Sequence, residues 1–207
     1  VKLTVFILNF LALCMVASAQ AGQTHTSNAM DELDPRDPQI NKVLEKMDKD
    51  YQKATGQSPF LQEDPKLNLA STSDCYQSTC HVFALVNKSK QTLELYVDGV
   101  LQATWPTSSG RPGHTTPDFD KHPDGRIYNA YTSTKFPGGD FDGLGNMPYA
   151  VFIEGGFAIH GTGRSNWSKL GHVASHGCIR IHPDNAVVFN HLVRQYGIRQ
   201  TWITVRD

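Results

Sequence analysis

The chain has 207 residues, and its 19 Lys and Arg nearly balance 20 Asp and Glu for a formal charge of −1. So even a balance gives no basis for a nucleic-acid partner or for strong electrostatic steering of a charged ligand. The length suits one domain plus an arm, with enough chain to bury a real core.

Residues 1–13, VKLTVFILNFLAL, hold one lysine and then an apolar run that reaches Val16, with Ala17-Ser18-Ala19 behind it. This is the pattern of a secretory signal peptide, expected over residues 1–19. The run is shorter than the ~20 apolar residues of a spanning helix. Export to the periplasm or cell envelope is the expectation. In such a compartment Cys75 and Cys80 of DCYQSTC can pair as a disulfide. Cys14 would leave with the signal, and Cys178 would then be the unpaired thiol.

Residues 20–80 read as a tether with an amphipathic helix and a linker. The polar, aperiodic stretch to residue 37 is the tether. In DPQINKVLEKMDKDYQKATG, Asp37 is the expected cap and Pro38 the first helical residue. Ile40, Val43, Leu44, Met47 and Tyr51 share one face, and Gly56 is the stop. The helix is expected to be an arm packed on the domain, followed by the linker TGQSPFLQEDPKLNLASTSD.

From His81 to residue 207 the pattern is a domain of short β runs. HVFALVN and TLELYV are rich in β-branched and aromatic residues. Asp98-Gly99 between LELYV and VLQATW predicts a type I′ hairpin. RPGHTTPDFDKHPDG and STKFPGGDFDGLGN read as long loops. YAVFIEGGFAIHG reads as two strands around Gly155-Gly156. DNAVVFNHLVRQYG predicts a helix capped by Asp184, with Phe189, Leu192, Val193 and Tyr196 inward and Gly197 as its stop. TWITV is a last strand. The fold class is mainly β with a C-terminal helix, preceded by a signal peptide and a short helical arm.

The chemistry gathers in HVASHGCIRIHP, residues 172–183. Cys178 follows Gly177, with His176 two residues before it and Arg180 two after. A thiol needs a base or cation beside it to become a useful thiolate near neutral pH. His160, at the end of the FAI run, and His176 are both candidates. Gly177 removes a side chain beside the thiol, so a carbonyl can approach and backbone N–H groups can face a developing oxyanion. His172 and His182 lie near Cys178 in sequence, but the spacing does not match close-paired zinc ligands. The reading calls for no metal and no cofactor.

IHG, a loop and then SHGCIR resemble the L,D-transpeptidase catalytic domain family (YkuD-like), whose pattern is a His, a spacer and [Ser/Thr]-His-Gly-Cys-x-[Asn/Arg]. TSSG, TTPDF and MPYAVFIEGGFAIHG look like further landmarks, and the resemblance covers about residues 81–206. It implies a β-sandwich or barrel domain. In the implied roles Cys178 is the nucleophile and His160 the base, held by the carbonyl of Gly161. His176 lines the site, the N–H groups of Gly177 and Cys178 face the oxyanion, and Ser175 supports the loop. Gly161 departs from members with Ser there, and Asp118-Phe119 departs from the family's Thr-Pro-x-Gly turn. Arg180, Tyr149 and Trp167 are candidate substrate-binding residues, Trp167 as a lid.

What the resemblance implies for activity is a thioester acyl-enzyme formed on a peptidoglycan stem peptide with loss of a terminal D-Ala. An amine then takes the acyl group, forming 3-3 cross-links or attaching an outer-membrane lipoprotein or D-amino acids to the wall. It also implies acylation by β-lactams of the carbapenem type. The alternatives are a hydrolase on the same scaffold, a non-catalytic wall-binding module, or a redox sensor built on Cys75 and Cys80.

Overall fold

The computed structural model describes residues 33–62, 74–131 and 141–207. The expected signal peptide, most of the expected tether, part of the linker and part of the STKFPGGDFDGLGN loop lie outside the described residues.

The domain is built on two sheets. Strands β1 (Val82–Asn87), β2 (Thr92–Val97) and β3 (Val100–Pro106) form a meander. The β2–β3 turn holds Asp98 at φ 51° and Gly99 at φ 74°, the positive pair that a type I′ turn requires. The last strand, β8 (Thr201–Arg206), lies parallel to β1 and antiparallel to β4 (Phe119–Lys121), giving the order β3-β2-β1-β8-β4. β4 is a correction, because its segment was expected to be loop throughout. Three residues between Pro117 and Pro123 are too few to show alternation, yet Phe119 enters the core.

The second sheet has the order β5-β6-β7. β5 (Val151–Glu154) and β6 (Phe157–Gly161) are antiparallel about Gly155-Gly156, and β7 (Ile179–Ile181) lies parallel to β6. Alternate side chains of a strand take opposite faces. Val151, Ile153, Ile159, Ile179 and Ile181 meet β1, β2, β8 and the helix α2 (Pro183–Tyr196) in the main core. Phe152, Ala158 and Cys178 point the other way, into a second cluster.

Helix α1 (Ile40–Thr55) covers that second face with Leu44, Met47 and Tyr51. The ring of Tyr51 meets Tyr128 edge-on at 5.1 Å. Asp48 accepts from Arg126 Nε at 2.9 Å and Nη2 at 3.0 Å, and from the hydroxyl of Tyr128. The start of the expected linker is paired too, with Ile127 N–H donating to Pro59 O and Leu61 N–H to Gly125 O.

Both helix starts differ from expectation. Gln39 occupies the cap of α1 and makes no side-chain cap bond, while the Asp37 carboxylate, two residues earlier, accepts from Gln39 N–H. In α2 the cap is His182, whose ring accepts from Asp184 N–H. Pro183 sits at the first helical position, which it suits because that N–H has no helical partner to lose. Asp184 therefore lies in the first turn, where its charge favours the helix dipole.

Cys75 and Cys80 are joined by a disulfide. The loop it closes rests on the domain, where Tyr76, Gln77, Trp202 and Thr204 all donate to Asp120.

Candidate active site

The parallel register pairs Ile159 with Ile179, His160 with Arg180 and Gly161 with Ile181. A parallel pair needs a crossover, and residues 162–178 supply it. Alternation puts Ala158, His160, Cys178 and Arg180 on one face of the sheet. Cys178 immediately precedes β7, so continuing the same register sets it beside Ala158, two residues along from His160. Both side chains are fully buried, and His176 is 7% exposed.

His160 Nδ1 lies 2.7 Å from Gly161 O. A carbonyl only accepts, so Nδ1 carries the proton and Nε2 is the basic nitrogen of the neutral ring. Gly161 fits a tight place: a Cβ there would stand 3.0 Å from both Pro148 Cγ and Pro183 Cα. The Cys178 thiol donates to Gly156 O at 3.3 Å.

The SHGC turn is braced from within. Ser175 Oγ donates to Cys178 O at 2.6 Å and accepts from Gly177 N–H at 3.0 Å. This corrects one expectation: the Gly177 N–H faces Ser175 in this conformation rather than a reacting carbonyl. The turn holds Gly177 at φ 126°, a region other residues rarely adopt.

It is also braced from outside, by residues that sequence reasoning did not single out. Thr116 Oγ1 donates to Gly177 O at 2.7 Å and accepts from Gly110 N–H at 2.9 Å. Ser108 and Arg180 exchange backbone bonds, and Arg111 N–H donates to Ser175 O. Gln91 holds this TSSG segment through the N–H and hydroxyl of Ser109. At Gly110 a Cβ would stand 1.8 Å from His114 O, so only glycine fits. The TSSG and TTPDF landmarks were the available signal, though they did not show what the residues bond to.

The remaining candidates spread out. Arg180 is buried and donates to Ala174 O at 3.1 Å, tying down the loop before the thiol. Trp167 lies on a short 3-10 helix (Arg164–Lys169); its indole donates to Thr162 O and its ring sits 4.3 Å from that of His182. Tyr149 packs on the main core, its ring edge-on to His191. The ring of His176 meets His114 at 4.9 Å. Among the described residues, no group of three or more His, Cys, Asp or Glu is placed to hold a metal ion.

Two sheets, a parallel β6–β7 pair carrying His160 and a braced SHGC turn holding Cys178 just before β7 frame the candidate site. The model of the L,D-transpeptidase catalytic domain (YkuD) matches residues 81–198, and the chain belongs to that family. Similar solved structures include L,D-transpeptidase 3 from Mycobacterium tuberculosis, 21% identical, with 62% of each chain covered and a TM-score of 0.50. Its complex with a faropenem-derived adduct is 22% identical over 62% of this chain and 61% of that one, with a TM-score of 0.49. An L,D-transpeptidase from Mycobacterium smegmatis is 22% identical over 62% and 59%, with a TM-score of 0.44. The chain thus spans about three fifths of these neighbours' length. Comparison with curated proteins gave no match.

Proposed function

We propose that the chain is a cysteine-dependent L,D-transpeptidase acting on peptidoglycan stem peptides, with Cys178 as nucleophile and His160 as base. The observation that carries this reading is His160, with its Nδ1 proton committed to Gly161 O, on the same sheet face as Cys178. The ring is thereby fixed with Nε2 as its base.

In the proposed reaction the thiol turns from Gly156 O and gives its proton to His160 Nε2. The thiolate attacks the carbonyl carbon of the third stem residue, forming a C–S bond and a tetrahedral oxyanion. His176 lines this position, and the N–H of Cys178 is the expected donor to the oxyanion. The C–N bond to the terminal D-Ala breaks, and the imidazolium returns its proton to the leaving amine. An acceptor amine then attacks the thioester, His160 takes the amine proton, and the sulfur leaves. The disulfide fits an exported enzyme in an oxidising envelope compartment. β-Lactams of the carbapenem type offer an equivalent carbonyl and are expected to acylate Cys178.

Incubation of the purified protein with disaccharide-tetrapeptides, read by mass spectrometry, tests the proposal. Dimers joined between third residues are expected. Added D-amino acids or a lipoprotein C-terminal peptide would reveal other acceptors through their own adducts. Shortened stems alone would reassign the site to hydrolysis, and no reaction with either stems or a carbapenem would leave a wall-binding module.

A further inference from the structure

The segment just ahead of α1 does not behave as a tether. Leu33 is 6% exposed and shares the cluster of Cys178, and Pro35 is buried as well. Pro35 lies over two glycines of the site. A Cβ on Gly177 would stand 3.4 Å from Pro35 Cγ, and one on Gly156 would stand 2.8 Å from Pro35 Cα and 2.7 Å from Ile40 Cγ1. The proline ring thus shares with the ring of Phe157, whose Cε1 would be 3.1 Å from such a Cβ, the side of Gly177 left open by its missing side chain. It also backs the turn whose carbonyl, that of Gly156, accepts the Cys178 thiol proton.

The ends of the segment are fastened to the rim. The Arg36 guanidinium donates to Gly113 O at 2.9 Å and to Thr115 O. The Asp34 carboxylate is 3.7 Å from His114 Nδ1, and His114 in turn meets the ring of His176. From Leu33 to Arg36 the chain therefore crosses from the thiol's cluster, over Gly156 and Gly177, to the 113–115 loop.

We infer that Leu33–Arg36 is an autoinhibitory strap seated in the acyl-donor cleft, closing Cys178 to peptide until it lifts. Two kinds of fastening separate strap from arm. Arg36 is exposed and its bonds to two backbone carbonyls lie at the rim, where water competes with them. The Asp48–Arg126 pair that anchors α1 is largely buried, with side-chain exposures of 17% and 13%. The strap can leave while the arm stays docked, with Asp37–Gln39 as the joint. A closed strap leaves the thiol protonated on Gly156 O, and an open one gives both the donor peptide and the sulfur room to move. The name of the cleft's occupant rests on the transpeptidase reading, whereas the shielding of the thiol does not.

Alkylation of the folded protein by iodoacetamide, with the label placed on Cys178 by peptide mapping, measures the opening directly. Cys178→Ala is the control for labelling elsewhere. Wild type is expected to label slowly. Arg36→Ala and Pro35→Gly should each label roughly tenfold faster, equivalent to ~1.4 kcal/mol of opening free energy. Arg36→Lys should fall between them and wild type, with all urea midpoints kept close to wild type. Wild-type labelling as fast as an unstructured thiol, or equal rates in wild type and both strap variants, would overturn the strap. Faster labelling without acyl transfer in any variant would keep the strap and remove the transpeptidase reading. Full wild-type cross-linking with unchanged labelling rates would do the reverse.

Discussion

Thr116 offers a direct test of how the thiol turn is held. Thr116→Val keeps the side-chain shape and deletes the hydroxyl that joins Gly177 O to Gly110 N–H. Thr116 is 1% exposed, so water cannot replace it without rearrangement. A buried group left without its partner costs about 1–3 kcal/mol, and two such groups, eased by the added methyl, come to about 2–4 kcal/mol. With a urea m value of about 2 kcal/mol/M for a domain of this size, the unfolding midpoint should fall by about 1–2 M. The rate of acylation by imipenem, followed by intact mass, should fall with it, because Gly177 shares the turn with Cys178. Thr116→Ser retains the hydroxyl and should restore both. A Val variant with a midpoint within ~0.2 M of wild type and an unchanged acylation rate would refute the bracing role.

Cys178→Ala should abolish the covalent adduct with the fold intact, as intact mass and circular dichroism would report. His160→Ala should slow acylation by about 10²–10⁴-fold, the usual cost of losing an acid–base partner, and a rate near wild type would transfer the base role to His176. Asp48→Ala removes the acceptor of Arg126 Nε and Nη2 and of the Tyr128 hydroxyl, leaving Arg126 only Asp124 on Nη1, and should cost about 2–4 kcal/mol in urea unfolding; a loss below ~0.5 kcal/mol would mean that the arm is not anchored there. At Asp120, burial pushes the carboxyl up, but bonds from Trp202, Thr204, Gln77 and Tyr76 outweigh it and hold the group at about 2. A carboxyl depressed from 3.8 stabilises the fold above its unfolded value, and that contribution is lost as pH falls through about 2. Discounted for exposure it is about 1 kcal/mol, so Asp120→Asn should flatten the urea midpoint between pH 5 and pH 2.

Local chemistry was legible in the sequence wherever one residue type answers one backbone demand. Asp98-Gly99 announced a turn that needs two positive φ angles, and Gly56 announced the end of α1 by the same logic. Faces with a clear period were legible too, such as Leu44, Met47 and Tyr51. β4 and β7 were not, since each has three residues, less than two full alternations. Nor was the bond between Thr116 and Gly177, which are 61 residues apart and joined by no pattern. The stretch before α1 looked like a tether because it is polar and aperiodic. The burial of Leu33 and Pro35 comes from the surface they meet, which the segment's own composition does not encode.

The small sheet explains why the arm and the site are physically inseparable. An antiparallel sheet can leave one face to water, but a parallel pair such as β6–β7 is usually covered on both. One face here meets the main core, while the other carries Phe152, Ala158 and Cys178 and is covered by α1. The chain crosses that second face closely, which favours small residues at the crossings. Gly156, Gly177 and Gly161 each sit where a Cβ would press on a neighbour. Gly161 shows the constraint most clearly: a Cβ there would stand 3.0 Å from Pro148 Cγ and from Pro183 Cα. The carbonyl of residue 161 still holds His160 Nδ1, because that bond asks nothing of the side chain. The departure from the family pattern is thus accommodated by packing and leaves the imidazole of His160 held as before.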